Sequence, residues 1–174
     1  MFRQESWAKE DSRLSDFSKL NREYNETVLL RNDFERRQAL VELDVISAMA
    51  LGFSLNDLIF IYTNTFSTTQ KYEADTWYDA NGRVVFSVSG EYDLKLPRKG
   101  NVRQGTLGWE DIRGERIDGN TYVGTSPTYT QVIDPTQSEL YGGQQQTFVA
   151  PYTKCDRIED YRTAWAHFEK IFNK

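Results

Sequence analysis

The chain has 174 residues, a net charge of −5, 39% hydrophobic residues and 14% aromatic residues. This composition provides enough bulk for a core and argues against wholesale disorder. No apolar run is long enough to span a membrane, the N-terminus has no apolar signal core, and a lone cysteine, Cys155, excludes an internal disulfide. A zinc site built only from Cys and His is excluded as well, since the chain has one of each. We therefore expect a soluble, cytoplasmic protein.

The first 30 residues alternate acids and bases, and Leu14, Phe17 and Leu20 fall at helical spacing. This pattern allows either a short amphipathic helix or an arm that docks only when a partner covers those three side chains. We expect a charged N-terminal arm over residues 1–30 and a single domain over residues 31–174.

Two helices follow the arm. Asn32 is a suitable cap for the first, with Glu35 at the capping-box position, and Gly52 lies where a left-handed C-cap is needed. Ser54 and Asp57 form the same pattern for a second helix that runs to about residue 66. The first helix is apolar over more than half its circumference, which indicates burial on two sides. Its apolar positions are Ala39, Leu40, Leu43, Val45, Ile46, Met49 and Ala50.

The rest of the chain combines a hairpin, an irregular segment and a last helix. Asn81-Gly82 between two β-prone runs predicts a β-hairpin over residues 76–88. From Pro97 to Thr153 the chain is rich in glycine, and we expect irregular structure with a short helix near residues 107–112 and one or two short strands. Asp156 is a suitable cap for a C-terminal helix. We expect an α+β fold in which Leu40, Leu43 and Ile46 pack against Trp165 and Phe168.

Polar residues of the helices fit structural roles better than catalytic ones. His167 has no predictable carboxylate or nucleophile beside it, so a helix histidine is favoured over a general base. Glu42 and Asp44 interrupt the apolar first helix, and we expect salt bridges to an arginine such as Arg36 or Arg37, or caps on a neighbouring helix.

One loop concentrates positive charge in an otherwise acidic protein. Lys95, Arg98, Lys99 and Arg103 lie in a Pro/Gly loop with no acid between the first and the last. Such a loop can lie on a phosphate backbone or be an ordinary solvated loop. These four residues are our predicted DNA-binding residues.

A metal-dependent nuclease is a second hypothesis. Asp93-Leu94-Lys95 matches the acid-x-Lys fragment of such enzymes, with Asp75 or Asp79 upstream as a further metal ligand. An edge strand with its charges facing water explains the same segment, and the pattern favours that structural interpretation.

Three stretches of the sequence are familiar in combination. They are ALVELD (residues 39–44) running into ALG (50–52), YDANGR (78–83) and DYRTAWAHFE (160–169). Together they resemble the C-terminal segment of large SAM-dependent DNA adenine methylases, which include type IIG restriction–modification enzymes and phage-defence methylases. The resemblance covers the chain from about residue 31 to its end.

The resemblance implies an accessory role. The family's cofactor-binding and Pro-Pro-Tyr motifs are absent from this sequence, so no catalytic, cofactor-binding or metal residue carries over and no cofactor is expected in this chain. The leading hypothesis is a non-catalytic C-terminal module or subunit of a DNA methylase or restriction–modification system, assisting DNA engagement or assembly. Its partner is then the catalytic or target-recognition part of the methylase, with DNA backbone as a further contact. The alternatives are a small Mg-dependent nuclease using Asp93 and Lys95, and a protein-interaction subunit without DNA contact.

Overall fold

The computed structural model of the chain describes residues 32–88, 95–101, 105–133 and 141–172. Within these ranges the chain has the predicted α+β fold, and no helix there has the length and apolar character needed to cross a membrane. The predicted arm over residues 1–30 lies outside them. The helices are α1 (Asp33–Ala50), α2 (Leu55–Thr65), α3 (Ser67–Ala74), α4 (Trp109–Ile112) and α5 (Arg157–Phe172); the strands are β1 (Trp77–Tyr78), β2 (Val84–Phe86), β3 (Arg116–Asp118), β4 (Thr121–Tyr122), β5 (Thr128–Val132), β6 (Gln145–Val149) and β7 (Tyr152–Thr153).

The chain divides into two compact units. Of the described residues, the helical unit takes 32–71 and 156–172, and it contains α1, α2 and α5. The sheet unit is Tyr72–Cys155 and contains all seven described strands and α4. The prediction of a single domain over residues 31–174 stays a prediction.

The predicted helix caps are confirmed. The Asn32 side chain accepts a hydrogen bond from the Glu35 N–H at 2.8 Å. Ser54 and Asp57 bond reciprocally, at 2.8 Å from the Ser54 N–H to the Asp57 carboxylate and 3.2 Å from the Asp57 N–H to the Ser54 hydroxyl. Asp156 accepts from the N–H groups of Ile158 and Glu159 at the start of α5.

The corner after α1 is a Schellman motif. Gly52 has φ of +76°, and its N–H donates to the Met49 carbonyl while the Phe53 N–H donates to the Ala48 carbonyl, each at 3.0 Å. The glycine is needed because this left-handed conformation is strained for side chains with a Cβ. These bonds satisfy carbonyls that the end of the helix leaves open, and they fix where Phe53 emerges.

The core of the helical unit uses part of the predicted face of α1. Val45 is buried there and Ile46 packs against the core, as predicted, but Leu40 is 55% exposed and is not a core residue. The face toward α5 carries instead a buried ion pair between Arg37 and Asp160, which periodicity of apolar residues does not reveal. Phe168 is in the core as predicted, and Trp165 packs at its edge. The buried core consists of Val41, Val45, Ala48, Leu58, Tyr62, Tyr161, Ala164 and Phe168.

The predicted hairpin is confirmed as β1 and β2. The strands pair antiparallel, with Trp77 opposite Phe86, and Gly82 in the turn has φ of +75°. The five-stranded sheet has the order β2-β1-β7-β4-β3, and β5 and β6 form a separate two-stranded ladder.

The Gly-rich segment is more regular than expected. We predicted one or two short strands after Pro97, and the structure forms five, β3 to β7. Three of them, β3, β4 and β7, are only two or three residues long, which is too short for a periodic pattern, and β7 pairs with the distant strands β1 and β4. The short helix expected near residues 107–112 is confirmed as α4. The sheet-unit core is largely aromatic and consists of Trp77, Val85, Phe86, Leu96, Trp109, Ile112, Phe148 and Tyr152.

Candidate functional site

The predicted DNA-binding loop contains no acidic residue, but two acids from other segments lie beside it. Arg98 donates to the Asp75 carboxylate at 2.8 Å and lies 4.0 Å from the Glu110 carboxylate. Lys99 lies 3.9 Å from Glu110. Both cations are exposed, but Arg98 lies beside both acids and Lys99 beside Glu110, so the loop is less positive in space than in sequence. Arg103 lies outside the described residues.

The backbone of this loop is held by α4. The Pro97 and Arg98 carbonyls accept hydrogen bonds from the Trp109 and Glu110 N–H groups at 2.8 and 3.0 Å, which satisfies donors in the first turn of the helix. A Cβ on Gly108 would lie 2.3 Å from the Lys99 carbonyl carbon, so the close approach of the two segments requires glycine there. The cations are therefore presented from an ordered backbone.

A further pair of hydrogen bonds closes the same junction. One oxygen of the Asp111 carboxylate accepts the N–H of Gly108 at 2.8 Å and the N–H of Gly100 at 3.1 Å. The carboxylate thus joins the loop to the start of α4.

The upstream acids of the nuclease hypothesis have structural partners. Asp75 pairs with Arg98. Asp79 is buried and accepts the N–H groups of Asn81 and Arg83 through one oxygen, each at 2.9 Å, and that of Val149 through the other at 3.1 Å. Burial raises the pKa of Asp79 above its ordinary value, although these hydrogen bonds favour the charged form.

The remaining residues of that hypothesis stay a prediction. Asp93 lies outside the described residues, and Lys95 is half-buried. No group of three or more His, Cys, Asp or Glu side chains suited to a metal ion occurs in the ranges the structure describes. His167 is half-buried on α5, with its ring 5.1 Å from that of Phe168.

A polar network joins α1 to α5 within the helical unit. Arg37 Nη1 lies 2.6 Å from Asp160 Oδ2, and both side chains are 7% exposed. Asp44 Oδ2 accepts from Arg157 at 3.1 Å and from the Tyr161 hydroxyl at 2.7 Å. Burial and the hydrogen bond to Asp44 raise the pKa of Tyr161.

The salt-bridge prediction for Asp44 was partly wrong. An arginine does pair with Asp44, but it is Arg157 of α5 rather than Arg36 or Arg37. Arg36 lies 3.7 Å from Asp33 within its own helix. Helix–helix packing decided these pairs, and spacing along one helix does not contain that information.

The feature that sequence reasoning missed is an apolar surface on the helical unit. Two grooves of about 480 Å³ and about 400 Å³ flank Phe53, which lines both. The first lies between the end of α1 and α5, and the second between α1, α2 and the start of α5. We define the apolar surface as the exposed hydrophobic side chains that line these grooves, namely Leu40, Leu51, Phe53, Phe66 and Phe172.

A signal for this surface was present in the sequence. The apolar arc of α1 is too wide for one contact, and the helix was expected to be buried on two sides. In the structure the helix is buried on two sides, as predicted, by α5 and by α2, whereas Leu40 and Ala50 remain exposed. The apolar arc is thus wider than these two contacts cover.

Comparison with known proteins gives no match: no family model matches the chain, and no curated protein or solved structure is significantly similar to it. The resemblance to methylase C-terminal segments stays a prediction.

Proposed function

We propose that this chain is a non-catalytic docking module that binds a larger protein through the apolar surface of its helical unit. The observation that carries the proposal is the group of large hydrophobic side chains exposed around two adjoining grooves. Leu51 is 71% exposed and Phe172 is 57% exposed. Contiguous exposed apolar patches with concave relief are typical of protein-interaction sites.

The partner that we propose is the catalytic or target-recognition part of a DNA adenine methylase. The sequence resemblance supports this choice, because it covers the parts of the chain that form α1, the hairpin and α5. The partners of Asp75 and Asp79 support a structural rather than a catalytic role for these acids. DNA engagement by Lys95, Arg98, Lys99 and Arg103 remains part of the proposal.

Two alternatives differ in what they require. A protein-interaction subunit without DNA contact requires the apolar surface alone. The nuclease requires Asp93 to hold Mg²⁺ and Lys95 to polarise the attacking water. Purified chain that cleaves DNA with Mg²⁺, and loses cleavage on Asp93→Ala substitution, would replace the docking proposal.

The docking proposal is tested by affinity capture from the native cell with Phe53→Asp as the disrupting variant. Phe53 lies between the two grooves, so a charge there should weaken binding about 30-fold or more, the loss typical of a central hot spot. Phe60→Asp is the matched control, because Phe60 is 66% exposed on α2 and lines neither groove.

The expected result is a captured polypeptide that carries an Asn/Asp-Pro-Pro-Tyr/Phe motif, that is lost with Phe53→Asp and that is retained with Phe60→Asp. Capture of a protein without that motif would contradict the methylase part of the proposal. Equal capture by both variants would contradict the docking surface. Light scattering of the isolated chain separates a third outcome, in which the surface joins two copies of the chain.

A further inference from the structure

Three cationic side chains gather around two contacting aromatic rings of the sheet unit. The ring centroids of Trp77 on β1 and Tyr122 on β4 lie 4.7 Å apart. Arg116 Cζ lies 6.0 Å from the first centroid and 5.7 Å from the second. Lys154 Nζ lies 5.7 Å from the Trp77 centroid, and Arg113 Cζ lies 5.2 Å from the Tyr122 centroid. We call Arg113, Arg116 and Lys154 the cation cluster.

The charge of the cation cluster is not neutralised within the described part of the chain, where none of its members forms an ion pair with a carboxylate. Arg113 donates to the Tyr122 hydroxyl at 3.4 Å, and Arg116 donates to the carbonyls of Asp118 and Gly119. Aromatic faces and carbonyls hold a cation in place but leave its charge available to an anion. Arg98, by contrast, lies against two carboxylates.

The charge of the cation cluster is spread over two rings rather than converging on one point. Arg113 lies against Tyr122, Lys154 against Trp77, and Arg116 against both. A row of separate cations suits the repeating phosphates of a nucleic-acid backbone better than a single small anion.

We propose that the cation cluster binds the sugar–phosphate backbone of a nucleic acid. Guanidinium groups bind phosphate oxygens through two parallel hydrogen bonds, and the aromatic rings hold these groups before the ligand arrives. Binding is indifferent to base sequence, because Trp77 is only 4% exposed and is not available to stack on a base. The proposal depends on the sheet unit alone and is independent of docking through the apolar surface.

The test is a fluorescence-anisotropy titration of the full chain with a labelled 20-nucleotide single strand and the matching duplex at several salt concentrations. The variant is R113Q/R116Q/K154Q. The control is R36Q/R162Q/K170Q, which removes the same charge from the helical unit. We expect the cluster variant to bind at least tenfold more weakly at low salt and to lose about two units of log–log salt slope for the single strand. The affinity of the control variant should stay within about twofold of the wild-type affinity, which should lie in the range of weak sequence-independent binding.

Three results would overturn the proposal: equal losses in the cluster variant and the control, unchanged binding by the cluster variant, or no binding by the wild type at low salt. The variant R98Q/K99Q separates the cluster from the sequence-predicted loop, and a larger loss there than in the cluster variant would also overturn the proposal. Circular dichroism checks that each variant is folded. If the triple variant is not folded, K154Q alone serves as the test. It should still lower the log–log salt slope by about 0.7 units, since the aromatic contact of Lys154 is with Trp77 only.

Discussion

The helical unit and the sheet unit use their aromatic rings differently. The helical core mixes aliphatic residues with three aromatic rings, and further phenylalanines, Phe53, Phe66 and Phe172, line the surface grooves. The sheet core is largely aromatic, with Trp109 stacked on Phe86 at 5.9 Å. The cation cluster lies against two further rings of this unit.

This difference indicates what each unit is able to bind. An exposed hydrophobic group gains free energy when another protein removes it from water. A cation held by an aromatic face gains free energy when an anion approaches it. The two proposals therefore assign a different class of ligand to each unit, and substitutions in each unit test them.

The largest expected effect distinguishes two tryptophans. Trp109 is 1% exposed in the sheet core, so Trp109→Ala should lower the free energy of unfolding by about 3–5 kcal/mol. Trp165 is half-buried beside a groove, and Trp165→Ala should cost about half as much. Urea denaturation followed by circular dichroism measures both losses. Equal losses would show that Trp165 belongs to a core contact after all.

The next effect concerns two adjacent arginines of α1. Arg37→Ala leaves Asp160 buried without its partner and should destabilise the chain by about 3–5 kcal/mol. Arg36→Ala removes an exposed pair with Asp33 and should cost less than about 1 kcal/mol.

A double variant sharpens this test. Replacing Arg37 and Asp160 together by Met and Leu should recover most of the stability, because no charge is then left buried alone. A double variant as unstable as Arg37→Ala would show that the pair is required for packing rather than for charge balance.

The smallest effect compares two tyrosine hydroxyls, one in each unit. Tyr161→Phe removes a hydrogen bond of 2.7 Å to Asp44 and should cost about 1–2 kcal/mol. The buried Tyr152 hydroxyl has no hydrogen-bond partner in the described chain, so Tyr152→Phe should change stability by less than about 0.5 kcal/mol or increase it.

The ionisation of Tyr152 gives an independent check. Burial, together with the charge of Asp79, raises the pKa of Tyr152 to about 12. Its hydroxyl should therefore remain neutral at pH 10–11 in the folded chain, and ultraviolet difference spectra of wild type and Tyr152→Phe would detect this. A large loss of stability in Tyr152→Phe at neutral pH would reveal a partner for the hydroxyl.

The helix caps and the hairpin turn could be predicted from sequence because they depend on local contacts. The packing of the helices could not, because it depends on residues far apart in the chain. The caps at Asn32 and Ser54 and the turn at Gly82 depend on neighbours within a few residues, so sequence alone identified them. The buried face of α1 depends on Asp160, which is 123 residues from Arg37.

The same distinction applies to the functional surfaces. The cations Arg98 and Lys99 were visible in sequence, but the acids beside them come from α4 and from the segment before β1. Lys154 and Arg116 are far apart in the chain and meet only because β7 pairs with β4 and β1. A cluster assembled by sheet order has no signature in a single run of residues.

The corner after α1 has a consequence for the energetics of recognition. The two hydrogen bonds that end the helix also immobilise the backbone of Phe53, and they arise from residues 48–53 alone. A partner that covers Phe53 then restricts only its side-chain rotamers, because the main chain is already ordered. Substitution of Gly52 by a β-branched residue should thus weaken association through entropy, without removing any atom from the interface.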